Sequence, residues 1–207
     1  MTDKKTKTMK ANKTFFVGLF SCLMLIACNQ QPKAKENFSA EGYEITELGN
    51  GLQEAVKKDP ASGQPLEEGL LLHGKKEGTW VTYHPNNDKL IPKSIQSYIN
   101  GQPSGILIEY GNRGQLEKIA HYLNGQLHGR YATYDYGRLK EVRHYKHGQL
   151  DGLFSKYYPK TDKLQSTAEF KDGKQHGMYR YYDEEGNVTL EYEYQNGKKV
   201  RGGMKKK

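Results

Sequence analysis

The sequence has two cysteines, Cys22 and Cys28, and both lie within its first 28 residues. No disulfide framework and no thiolate metal site is therefore available to the rest of the chain. Tryptophan occurs once and proline seven times. Apolar residues make up 35% of the 207, too few for a deep globular core. The main apolar stretch, residues 15–27, is 13 residues long, short of the ~20 that a membrane-spanning helix needs. No glycine-rich phosphate loop precedes a helical pattern. Acidic runs such as Asp183-Glu184-Glu185 fall where turns are expected, which leaves no clustered acid–base pair for hydrolysis. These absences argue against an enzyme, and no cofactor is expected.

The net charge of +8 is also less than it first suggests. Lys4, Lys5, Lys7, Lys10 and Lys13 precede residue 28, and Lys198, Lys199, Arg201, Lys205, Lys206 and Lys207 crowd the other end. Between these groups stand 21 basic and 23 acidic residues. A nucleic-acid reader carries its positive charge as a patch on the folded face, so nucleic acid is not expected as a partner.

What the chain does have begins with an address. Lysines followed by the apolar stretch at 15–27 give the layout of a secretory signal. Leu25-Ile26-Ala27-Cys28 resembles the lipobox of bacterial lipoproteins. That resemblance implies removal of residues 1–27, lipidation of Cys28, and attachment to the cell envelope, most simply the outer membrane facing the periplasm. Residues 28–49 then read as a flexible tether.

Glycine and tyrosine are abundant, at 23 and 16, and they recur in register. The pairs His73-Gly74, Asn100-Gly101, Asn124-Gly125, His147-Gly148, Asp172-Gly173 and Asn196-Gly197 open units of 23 to 27 residues. Such pairs supply the positive φ that two-residue hairpin turns demand. A second glycine follows four residues after the first in five units, at Gly78, Gly105, Gly129, Gly152 and Gly177. Two residues beyond it stand Trp80, Leu107, Tyr131, Phe154 and Tyr179, and five beyond it Tyr83, Tyr110, Tyr134, Tyr157 and Tyr182. Each unit closes on an aromatic: Tyr98, Tyr122, Tyr145, Phe170 or Tyr194. Turn-forming residues divide every unit in two, including Asn86-Asn87-Asp88 and Tyr136-Gly137.

The pattern predicts one β-hairpin per unit and an all-β fold: an open, twisted antiparallel β-meander in a single-layer, solenoid-like sheet. Residues 73–204 hold five units and a C-terminal fragment, 50–72 read as a degenerate half-repeat forming the N-terminal edge, and 205–207 are a basic tail. The aromatics at offsets two and five have opposite parity. Either both faces carry aromatic ladders or a bulge re-aims one.

Glycine pair, aromatic, tyrosine, leucine and closing tyrosine together resemble MORN repeats, in the bacterial variant of that motif, over about two-thirds of the chain. The resemblance implies hairpin arrays used for scaffolding, protein binding, dimerisation or phospholipid contact. Some bacterial members carry an antitoxin label. An antitoxin-like partner binder is the weakest reading for a chain with an export signal, since toxin and antitoxin meet in the cytoplasm.

The candidate binding surface is the aromatic stripe: Trp80, Tyr83, Tyr110, Tyr131, Tyr134, Phe154, Tyr157, Tyr179 and Tyr182. It serves as the core of a thin sheet, or in part as an exposed groove for a protein segment or an envelope glycan such as peptidoglycan. His121 and His144 precede the closing tyrosine in adjacent units, within conceivable reach of one metal ion. The same position holds Glu169 and Glu193 in the next units, so the set reads as a polar strand face and no metal is expected. The expected partners are a membrane, through lipidated Cys28, and a protein.

Overall fold

The computed structural model describes residues 38–85, 89–159 and 161–205. The proposed signal, Cys28, the turn at 86–88 and the last two lysines lie outside the described residues. Among those described there is no helix, and fifteen strands form one open sheet. The first hairpins use β1 (Tyr43–Gly49), β2 (Leu52–Lys58), β3 (Pro65–Leu72), β4 (Lys75–Tyr83) and β5 (Pro92–Ile99). The middle contains β6 (Gln102–Tyr110), β7 (Leu116–Leu123), β8 (Gln126–Asp135), β9 (Arg138–Lys146) and the short β10 (Gln149–Leu150). The sheet ends with β11 (Gly152–Tyr157), β12 (Leu164–Lys171), β13 (Lys174–Tyr182), β14 (Val188–Gln195) and β15 (Lys198–Met204). Each strand pairs antiparallel with its sequence neighbours, except that β10 pairs β9 beside the main path. The predicted meander is the fold.

Its start differs from expectation. β1 occupies residues assigned to the tether, and 50–72 hold two full strands rather than half a unit. Asn50 and Gly51 form the same kind of turn as the later pairs, with φ of 54° and 74°. The unit hid because Ala55 stands where its second glycine should be and Leu71 where its closing aromatic should be. Both are buried. β1 lacks any repeat signature of its own, and only its pairing with β2 reveals it.

Among the described residues, all eight non-glycine residues with positive φ stand directly before a positive-φ glycine. Seven are the Asn, His and Asp of the opening pairs, and the eighth is Tyr136. The opening turns stack into a column. The N–H groups of Gly101, Gly125, Gly148, Gly173 and Gly197 donate to the carbonyls of Lys76, Pro103, Leu127, Leu150 and Gln175 in the preceding unit, at 2.8–2.9 Å. The N–H beside each glycine is capped by the side chain just before the second glycine. Asn100 donates to Glu77 at 2.8 Å, Asn124 to Ser104 at 3.2 Å, and His147 to His128 at 3.5 Å. Asp172 donates to Asp151 at 3.2 Å and Asn196 to His176 at 3.5 Å. These bonds satisfy backbone donors that a lone hairpin would leave to water, so they lock one unit to the next.

Two irregularities repeat with the units. Around each second glycine the leading strand inserts two extra residues against its predecessor; between Leu127↔Tyr122 and Tyr131↔Ala120 the count is four against two. Near each central loop the trailing strand inserts one, immediately after the partner of Tyr83, Tyr110, Tyr134, Tyr157 or Tyr182. Bulges of this kind raise the local twist at fixed intervals.

Candidate functional site

The register separates the aromatic stripe onto two faces. One face carries Trp80, Leu107, Tyr131, Phe154 and Tyr179 on leading strands, alternating with Gln96, Ala120, Arg143, Ala168 and Tyr192 on trailing ones. Large beside small lets each ring cover its neighbour, so Ala120 and Ala168 are buried in a sheet only one layer thick. Tyr83, Tyr110, Tyr134, Tyr157 and Tyr182 lie three residues further along the same leading strands and therefore on the opposite face. Their bonds agree: the Tyr83 hydroxyl donates to Glu68 at 2.6 Å, and that of Tyr182 lies 3.4 Å from Thr167, both partners being on the second face. The nine residues expected as one surface are thus two ladders, back to back. The single bulge falls on the trailing strand and does not re-aim them.

Trp80 is not available to a ligand, being 2% exposed. Phe38, Tyr43 and Tyr98 surround it with ring centroids at 5.4, 6.2 and 6.4 Å. Its indole N–H donates to the Leu70 carbonyl at 2.9 Å, and the Lys76 ammonium sits 3.9 Å from its ring while pairing with Glu67 at 2.5 Å. Glu67 also accepts from the Tyr43 hydroxyl at 2.7 Å. Burial, then the bond to Glu67 and its charge, raise Tyr43 well above the ordinary phenol range. Burial and the bond to Glu68 likewise push Tyr83 up to about 12. This corner is a satisfied core in miniature.

Further along the first face the rings are only half covered. Arg143 lies between Tyr131 and Phe154, 5.8 and 5.6 Å from their centroids, and pairs with Glu141 at 2.8 Å. Tyr179 and Tyr192 stack at 6.5 Å with 21° between planes, Tyr194 meets Tyr192 edge-on at 6.5 Å, and Lys199 stands 4.4 Å from the Tyr192 ring. Arg143, Tyr192 and Tyr194 were missed as candidates because the stripe was read from leading strands alone.

The second face holds what the aromatic pattern concealed. Val81, Ile95, Ile108 and Ile119 run across four adjacent strands, half-buried. On the same face Leu70, Leu72, Ile99, Ile106, Leu123 and Leu153 are exposed, Ile99 by 61%. The signal is present in the sequence, since the residue after the offset-two position is Val81 and Ile108 in the first units.

The histidines have structural employment. Nδ1 of His121 donates to the Arg130 carbonyl and Nδ1 of His144 to the Leu153 carbonyl, both at 2.8 Å. Each carbonyl belongs to the residue after a second glycine, so each imidazole fastens the bulge of the next leading strand. His128 does the reverse and accepts through Nδ1. Among the described residues no group of three or more His, Cys, Asp or Glu could hold a metal ion.

An open cleft of 510 Å³ lies at the central-loop edge, lined by residues 112–115 and the Tyr136 ring of the neighbouring unit. No family model matches the chain, and a search of curated proteins returns no match.

Proposed function

We propose that this chain is a lipid-anchored scaffold of the bacterial cell envelope, tethered through Cys28 and holding a partner protein against the second face of its MORN-type sheet. The lipobox-like Leu25-Ile26-Ala27-Cys28 and the repeat signature support the anchor and the family resemblance. The observation that carries the binding role is the aliphatic face, on which Ile99, Ile106 and Leu123 lie open and share strands with the row Ile95, Ile108 and Ile119. Apolar surface left open on a folded chain marks an interaction site rather than a stability device.

In-cell crosslinking followed by mass spectrometry of the membrane fraction tests this. Wild type should remain with the membrane and join a protein partner, Cys28→Ser should leave the membrane, and Ile99→Asp with Ile106→Asp should stay anchored but lose the partner. An anchored chain whose crosslinks are unchanged by the two aspartates would sink the reading.

A second reading has its own observation. The stacked Tyr179–Tyr192 pair with Tyr194 and Lys199 is a half-exposed aromatic platform with a nearby cation, suited to a sugar ring. Binding of peptidoglycan fragments that is lost in Tyr192→Ala and retained in the aspartate variants would favour an envelope glycan binder.

A further inference from the structure

β1 and β15 each have one neighbour among the described strands, and they differ in kind. β1 runs into the Asn50-Gly51 turn, which makes it the trailing strand of a unit. β15 leaves the Asn196-Gly197 turn, which makes it a leading strand. Inside the sheet every leading strand pairs across a central loop with a trailing strand, as β6 does with β7 and β13 with β14. The two outer edges are therefore the separated halves of one unit. Thirteen antiparallel pairings lie between them, an odd number, so β15 runs antiparallel to β1 as that pairing requires.

Their charges are also complementary. β1 holds Glu44 and Glu47 and no base; β15 holds Lys198, Lys199 and Arg201 and no acid, with Lys205 just beyond. Continuing the cross-strand rows from one copy to the next places Gly202 opposite Ile45 and Gly203 opposite Glu44. Arg201 and Lys205 then fall diagonally on either side of Glu44, on the same face. Each charge already has an internal partner: Lys58 for Glu44, Glu193 for Arg201 and Glu191 for Lys205. Joining the edges merges two small networks into one.

We infer that a second copy of this chain is the partner of each edge, with β15 of one copy adding to β1 of the next to extend the sheet head to tail. Like edges repel, acid against acid or base against base, which disfavours a closed two-fold dimer. A head-to-tail contact does not close on itself and grows into a series. The inference goes beyond the partner-holding role and does not depend on it.

A carbodiimide, which joins a carboxylate to an amine at zero length, tests it on the full chain in detergent. Glu44 and Lys205 lie at opposite edges of an open sheet, so a peptide linking them reports two copies. The expected result is a ladder of dimer, trimer and higher species carrying Glu44–Lys205 links. Glu44→Lys should weaken assembly at least tenfold. Adding Arg201→Glu and Lys205→Glu to Glu44→Lys should restore it, although every internal pair then sets like charges together, so internal rescue cannot explain recovery. A monomer at all concentrations, a product that stops at two copies with like edges linked, or a different protein joined at Glu44 or Lys205 would each overturn it.

Discussion

The indole of Trp80 lies against the backbone of Gly69 on the neighbouring strand and fills the space that a Cβ there would need. Gly69 sits opposite buried Ala55 on its other side, so the largest side chain of the sheet is seated on its two smallest neighbours. Glycine within a strand normally weakens it, and here a facing ring shields the bare backbone.

Gly69→Ala should therefore cost about 1–3 kcal/mol by overpacking. A urea melt followed by Trp80 fluorescence measures it, with Gly203→Ala as a control where φ is not positive and no atom lies within 4 Å of the added methyl. Equal losses at the two sites would show that the ring does not set the cost.

Tyr136 is 86% exposed and holds φ at 48°, a conformation that asparagine tolerates far better. Tyr136→Asn should stabilise the protein by about 1 kcal/mol, the lower end of the left-handed penalty for a bulky residue. A lower urea midpoint would mean that the ring makes a contact worth more than the strain.

His121→Ala should cost about 1 kcal/mol, the net worth of a neutral hydrogen bond, because the Arg130 carbonyl then loses its partner at the bulge. His144→Ala should behave alike through Leu153. Zinc addition should not shift the melting temperature of wild type; a shift abolished by either substitution would return these residues to metal chemistry.

Alkaline pH should unfold the sheet. Burial raises the hydroxyls of Tyr43, Tyr83, Tyr98, Tyr122, Tyr131 and Tyr179 above 10.0, and a bond with Tyr181 first, then desolvation, pushes Tyr158 up to about 12. The unfolded chain loses these protons first, so stability is whole below pH ~10 and falls as pH climbs towards 12. Tyrosinate absorbance and circular dichroism should change together across that window, and Tyr83→Phe should shift the drop upward. Ionisation completed near pH 10 with the sheet intact would contradict the packing.

Replacing Ile99 by Asp, alone, should leave stability within about 0.5 kcal/mol because the side chain is mostly in water. Ala120→Asp, on the buried first face, should prevent folding, since it places an unpaired charge under Leu107 and Tyr131. Thermal melts of the pair read the difference.

The opening turns were legible because they are local: an Asn-Gly or His-Gly pair sets its own φ regardless of what surrounds it, and six such pairs counted the units from Gly74 onward. The extra residue between Leu116 and Lys118 was not legible, because it shows only against Tyr110 and Glu109 on the paired strand. Tertiary structure decided everything that depends on a neighbour. It made β1 a strand by pairing it with β2, and it turned 50–72 into a full unit by burying Ala55 and Leu71. Cross-strand register put Trp80 and Tyr83 on opposite faces, burying the first and bonding the second to Glu68. Register is a relation between distant residues, so a period along one strand cannot show what lies across it.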